Sequence, residues 1–169
     1  VIDFPELHEA QQTVKDNPAR WKILCAGRRF GKTRLGVQLC IEQALAGGRV
    51  WWVAPTFSIA RVGWRDVVAA ASVFPKESGV DVKVGDMTVT FPGGGSIAVK
   101  SADNPQRLRG EGLNFLVMDE AAFVREETWT EVLRPTLTEN KGSALFISTP
   151  IGMDNWFFKL WEKAEVERL

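Results

Sequence analysis

The eight residues Ala26-Gly27-Arg28-Arg29-Phe30-Gly31-Lys32-Thr33 constrain this chain more than any other stretch. The apolar run Lys22–Ala26 leads into them and the amphipathic run Thr33–Ala46 leads out, so the order is strand, tight loop, helix. Gly27 and Gly31 let the backbone turn sharply and come close to a ligand. The helix after the loop offers unpaired N–H groups and the positive end of its dipole to an anion. The spacing is that of a phosphate-binding loop, with alanine in the first glycine position. In such a loop Lys32 reaches the β- and γ-phosphates of ATP, and the Thr33 hydroxyl binds Mg²⁺. All eight residues are assigned to the ATP cradle. Arg28 and Arg29 have two readings: one touches the γ-phosphate or senses its loss, or both are surface charge. Phe30 reads as loop packing.

The rest of the chain alternates apolar runs with longer amphipathic ones, the mark of parallel strands joined by crossover helices. Strands are expected at Lys22–Ala26, Val50–Ala54, Phe115–Met118 and Ala144–Ser148. Helices are expected at Thr33–Ala46, stopped by Gly47-Gly48, and at Ser58–Phe74, Glu126–Arg134 (stopped by Pro135) and Asp154–Leu169. Thr88–Phe91 and Ser96–Lys100 flank Pro92-Gly93-Gly94-Gly95 and predict a β-hairpin around 88–100. The fold class is therefore α/β: a three-layer, RecA-like P-loop NTPase with a mainly parallel central sheet and flanking helices, occupying residues 1–169 as one domain.

Phe115-Leu116-Val117-Met118-Asp119-Glu120 is an apolar strand ending in two carboxylates. Open α/β sheets bind ligands at the carboxyl ends of their strands. After a phosphate-binding loop, this pair reads as Asp119 holding Mg²⁺ and Glu120 orienting the attacking water. Ser148 and Thr149 close another apolar strand. They either hydrogen-bond the catalytic carboxylate or the γ-phosphate water, coupling nucleotide state to the downstream segment, or simply end the strand.

Composition narrows the field. Among 169 residues, 21 Lys and Arg balance 21 Asp and Glu, so no global basic field advertises nucleic acid. DNA contact would need a local patch, with Arg61, Arg65, Lys76, Lys83 and Lys100 as scattered candidates. No apolar run approaches the roughly 20 residues of a membrane span. Cys25 and Cys40 lie in apolar stretches and read as buried reduced thiols, and the lone His8 rules out a histidine-rich metal site. The chain has seven Trp and no Tyr, for which the sequence offers no physical reason.

With these elements in order, the chain resembles the N-terminal ATPase domain of the large terminase subunit of tailed bacteriophages, a DNA-packaging motor. Besides the phosphate loop, the likeness rests on Leu7-His8-Glu9-Ala10-Gln11, Val53-Ala54-Pro55-Thr56, Val117-Met118-Asp119-Glu120-Ala121-Ala122 and Ser148-Thr149-Pro150. It also rests on Asn104-Pro105-Gln106-Arg107-Leu108-Arg109-Gly110-Glu111-Gly112. The resemblance implies that Gln11 reads adenine, with Gln12 as the alternative register. It implies that Arg109 is an arginine finger reaching a neighbouring subunit's ATP, with Arg107 as its substitute and DNA contact or a local ion pair as other uses. It further implies double-stranded DNA, the portal protein and the small terminase subunit as partners, and a homo-oligomeric ring, a pentamer in the family. The expected setting is the procapsid in the cytoplasm of a bacterial host, with no membrane. Large terminase subunits also carry a C-terminal nuclease domain with clustered carboxylates. No second acidic cluster is present here, so a truncated chain without nuclease activity is expected. A superfamily-two helicase core shares these motifs, and an ATP-dependent assembly module with negligible turnover shares all but the need for Glu120.

Overall fold

The computed structural model describes residues 4–166, with side chains as far as residue 164. The chain builds one seven-stranded sheet in the order β1-β7-β6-β2-β5-β4-β3. The strands are β1 (Trp21–Cys25), β2 (Arg49–Ala54), β3 (Asp81–Lys83), β4 (Thr88–Thr90), β5 (Ser96–Ser101), β6 (Phe115–Met118) and β7 (Ser143–Ser148). The pairs β1–β7, β7–β6, β6–β2 and β2–β5 are parallel, whereas β5–β4 and β4–β3 are antiparallel. The helices are α1 (Glu9–Asp16), α2 (Lys32–Leu45), α3 (Phe57–Ala71), α4 (Arg134–Thr136) and α5 (Trp156–Val166).

The parallel strands are covered on both faces, which is why they read as continuous apolar runs. Within β2, Val50, Trp52 and Ala54 face α2 and α3, while Trp51 and Val53 face the layer that holds Trp129, Leu133 and Leu137. Four of the seven tryptophans have a packing reason. Trp52 is fully buried and wedged between helices: a Cβ on Gly36 of α2 would stand 2.9 Å from its ring, and one on Gly63 of α3 would collide with its Nε1. Under the other face, Trp21, Trp129, Phe146 and Trp156 meet edge-to-face in series, with ring centroids 5.1, 4.7 and 6.3 Å apart.

The parallel strands, α2, the hairpin and α3 fall where the sequence puts them, to within a few residues. Three differences have physical causes. First, β3 extends the hairpin to a three-stranded meander; its residues are all exposed, so no apolar alternation marks it. Second, Glu126–Arg134 is not a regular α-helix stopped by Pro135. It is a π-type turn over Thr128–Leu133 that passes into α4, where Pro135 occupies the first turn and needs no N–H partner. Third, Cys40 is buried as expected, but Cys25 is only partly so, because it ends the edge strand β1. Burial pushes both thiols up, and both are unpaired. The last three residues of the expected helix Asp154–Leu169 lie outside the described residues.

Candidate functional site

Strand order decides what meets at the carboxyl edge of the sheet. β7 lies between β1, which delivers the phosphate loop, and β6, which delivers the acidic pair. Cys25 at the end of β1 is level with Ser148 of β7, and the Ala26 N–H donates to the Ser148 carbonyl at 3.3 Å. One strand on, Met118 is level with Phe146. Ser148 and Thr149 therefore stand between the loop and the carboxylates.

The loop takes a 3₁₀ turn over Arg28–Phe30 and reaches α2 through Gly31, whose φ of +79° suits glycine. Within an α-helix, the first-turn N–H groups of Lys32, Thr33 and Arg34 have no partner of their own. Lys32 is only 8% exposed; its ammonium donates to the Ala26 carbonyl at 2.6 Å and the Gly27 carbonyl at 3.0 Å. Arg28 and Arg29 are exposed on the turn, and Thr33 is partly buried. Phe30 packs edge-to-face on His8 at 5.0 Å, in line with a packing role.

Gln11 is 2% exposed and sits behind the loop. Its Nε2 donates to the Phe30 carbonyl at 3.2 Å and the Gly31 carbonyl at 3.1 Å, while its Oε1 accepts the His8 N–H at 3.1 Å. His8 in turn accepts the Gln11 N–H through Nδ1 at 3.3 Å, and its Nε2 lies 3.0 Å from the Phe30 carbonyl. The start of α1 is thus a reciprocal capping box that also grips the phosphate loop. Sequence reasoning reached Gln11 but not this clamp, whose signal was a histidine three residues before a glutamine. Gln12 points elsewhere and donates to Asp16.

A cavity of about 600 Å³ opens beside the loop, lined by Lys32, Thr33, Pro5, Val37, Ala70 and Val73 among others. It is walled mainly by apolar side chains, with the cationic loop at one end.

At the end of β6, Asp119 Oδ1 accepts the Glu120 N–H at 2.9 Å. Burial and the neighbouring Glu120 charge push Asp119 up to about 6, against the pull of that N–H, the Trp52 indole N–H and the Lys32 charge. Glu120 has φ +44° and ψ +48°, left-handed backbone that costs a non-glycine residue about 1–3 kcal/mol. The twist turns its carboxylate toward β7: Oε2 accepts long hydrogen bonds, both 3.4 Å, from the Ser148 and Thr149 hydroxyls. Ser148 Oγ also accepts the Ala122 N–H at 3.4 Å. Ser148 and Thr149 thus touch the carboxylate that the sequence singled out.

Thr33 and Asp119 supply hard oxygen donors, the kind Mg²⁺ takes. Among the described residues, no three His, Cys, Asp or Glu side chains gather into a metal cage. A site of one hydroxyl and one carboxylate fits an ion whose other ligands are phosphate oxygens and water.

Arg109 is not brought to Lys32. It comes after a 3₁₀ turn over Pro105–Leu108 whose Leu108 is buried in the core on the other face of the sheet, with Leu113, Leu133 and Leu137. Arg109 itself is exposed, beside Glu111, Glu131 and Glu139 along a shallow cleft; Arg107 is exposed too. Of the cations named as DNA candidates, Lys100 lies over the Trp51 ring at 5.4 Å, and Arg61, Arg65, Lys76 and Lys83 are exposed.

Comparison with known proteins places this geometry. Residues 23–168 match the family model of the terminase large subunit, T4likevirus-type, N-terminal. The chain is 33% identical over 173 residues to the large terminase subunit of Thermus virus P23-45, covering 91% of this chain and 36% of that protein. It is 30% identical over 147 residues to the large terminase subunit of Escherichia phage T5, covering 85% of this chain and 33% of that protein. It thus spans about a third of the length of these relatives. Among solved structures, the large terminase ATPase domain of Thermus phage P74-26 superposes with a TM-score of 0.79 at 31% identity, over 91% of this chain and 68% of that one. The HK97 bacteriophage large terminase shares the fold at a TM-score of 0.81 and 16% identity, over 97% of this chain and 37% of that one. The chain therefore belongs to the family of terminase large subunits, whose N-terminal region it matches.

Proposed function

We propose that this chain binds ATP with Mg²⁺ and hydrolyses its γ-phosphate, driving double-stranded DNA into a procapsid as the motor region of a large terminase subunit. The observation that carries the reading is the placement of the Lys32 loop and the Asp119-Glu120 pair at one sheet edge, with Ser148 and Thr149 between them and hydrogen-bonded to Glu120.

The nucleoside enters the apolar cavity beside Val37 and Val73, and its phosphates lie along the loop. Lys32 exchanges its bonds to the Ala26 and Gly27 carbonyls for β- and γ-phosphate oxygens, and Arg28 or Arg29 reports the γ-phosphate. Thr33 and Asp119 hold Mg²⁺, which when bound neutralises charge on the phosphate oxygens. Glu120, turned by its left-handed backbone, aligns water for in-line attack. Ser148 and Thr149, at the end of β7, feel the change at Glu120 and pass it to the segment that follows. Gln11 acts through the loop: its amide holds the Phe30 and Gly31 carbonyls, so its effect on adenine is indirect.

Arg109 acts in trans. It is exposed, and its segment is anchored on the sheet face opposite α2, so its guanidinium serves the phosphate of an adjoining copy in a ring on the portal. A finger of this kind is worth roughly 10³–10⁵ in rate. The ring stoichiometry of five, the small subunit and the host cytoplasm belong to the same proposal, and no nuclease role is assigned to these residues.

The test is phosphate release by the full-length protein with and without DNA. Release that depends on Mg²⁺ and is lost in Lys32→Ala supports the reading. An unchanged rate in Lys32→Ala would sink it, and binding without release would favour an assembly module.

A further inference from the structure

Trp52 carries a polar group that packing alone does not explain. The side chain is fully buried, yet its indole N–H makes no well-formed hydrogen bond. A buried donor left without an acceptor costs free energy, whereas phenylalanine would fill apolar space without that cost. The ring is also held in one orientation. Gly36 of α2 leaves room for the six-membered edge, and Gly63 of α3 leaves room for the edge bearing the N–H. A methyl group at either position would force the ring to move.

The sheet register brings Trp52 close to the acidic pair. Trp52 of β2 is level with Val117 of β6, and both belong to the core facing α2. Side chains two residues apart on a strand share a face, so Asp119 projects from this face one step nearer the carboxyl edge. It is thus the diagonal neighbour of Trp52, within reach of a long aromatic side chain. Asp119 Oδ1 is held by the Glu120 N–H at 2.9 Å, leaving its second oxygen for other partners.

We propose that Trp52 is a positioning residue: when Mg²⁺ and nucleotide are bound, its indole N–H donates to the free carboxylate oxygen of Asp119 and fixes the rotamer in which Asp119 faces the metal. The proposal rests on the reading of Asp119 as a metal-binding group. It explains why so bulky a side chain is housed by two glycines directly behind the acidic pair. Partners that orient a ligating group in this way typically control metal affinity by about 10- to 100-fold.

The test uses the full-length protein with a non-hydrolysable ATP analogue and Mn²⁺ as the metal probe, whose free fraction is read by electron paramagnetic resonance. Trp52→Phe is expected to keep metal-free nucleotide affinity and to weaken Mn²⁺ binding about tenfold or more. Should Trp52→Phe fail to fold, benzothienylalanine at position 52 keeps the ring shape and removes only the donor; the same loss is expected. In wild-type protein labelled at the indole nitrogens, the resonance absent from Trp52→Phe should shift when Mg²⁺ joins the nucleotide complex, and should stay in place in Asp119→Asn. Unchanged Mn²⁺ affinity in both position-52 variants, with affinity lost in Asp119→Asn, would leave Trp52 as packing and overturn the proposal. Unchanged affinity in Asp119→Asn would overturn it for a different reason, by removing Asp119 from the metal site.

Discussion

The phosphate loop and the segment carrying Arg109 are both short, glycine-bearing connections that display arginines, yet the fold treats them in opposite ways. The loop is gripped from behind by Gln11 and His8, closed from within by Lys32 and tied to β7 through Ala26. The Arg109 segment has one buried anchor, Leu108, and then exposed residues leading to Gly110, whose φ of +102° and open surroundings mark a free turn. A pinned loop presents a fixed set of donors to a ligand held in the chain itself. A segment anchored at one leucine presents charge outward. In the proposed function this contrast corresponds to a division of the catalytic machinery: cradle and water-orienting carboxylate within one subunit, transition-state cation for the next.

The contrast can be broken most forcefully at its pinned end. Lys32→Ala in the full-length protein should abolish phosphate release and weaken nucleotide binding, whatever the state of assembly. Arg109→Ala should spare nucleotide affinity, measured by titration with a fluorescent analogue, but cost roughly 10³-fold or more in turnover of the assembled protein. Equal rates for Arg109→Ala and wild type in the assembled state would mean that the outward segment is not a finger. Gln11→Ala probes the clamp. Besides the bond to His8, it removes the two hydrogen bonds to the loop, worth about 1 kcal/mol each, so nucleotide affinity should fall by about 10- to 30-fold while turnover at saturation survives. A loss of discrimination between ATP and GTP, with overall affinity intact, would instead show Gln11 reading the base.

The smallest effect concerns stability. Asp119 has its folded pKa raised to about 6 from 3.8, so its ionisation opposes folding. In metal-free protein its contribution is most favourable below about pH 4, declines as pH rises toward 6 and stays low above. Asp119→Asn should therefore raise the metal-free unfolding free energy at pH 8 by up to about 3 kcal/mol and flatten that slope. Denaturant melts at pH 4.5 and 8 would read both, and a destabilised Asn variant at pH 8 would show that the carboxylate is structural.

The parts of the site and fold differ in how far the sequence announces them. Lys32 and Asp119-Glu120 are legible because strand ends impose their spacing, and a buried parallel strand has no choice but to be apolar. That Ser148 would touch Glu120 depends on β7 entering between β1 and β6, an order no local pattern encodes. The role of Gln11 was hidden for a similar reason: its partners are carbonyls nearly twenty residues away, and backbone carries no sequence signal. Trp52 reads only as one more apolar residue of β2 until Gly36 and Gly63 are seen on either side of it. The strand β3 escaped because exposure erases alternation, and the π-type turn at Thr128–Leu133 because Pro135 looks like a stop when its helical first turn is unseen.

The division of labour is tested most directly by mixing. Full-length Lys32→Ala and Arg109→Ala subunits, each expected to be inactive alone in the assembled state, are combined at varying ratios on the procapsid with DNA, and phosphate release is monitored. A Lys32→Ala subunit still offers a finger, and an Arg109→Ala subunit still offers a cradle. The mixture should show activity that neither variant shows alone, greatest near equal proportions. Mixtures no more active than the sum of their parts would contradict it and return Arg109 to its own subunit.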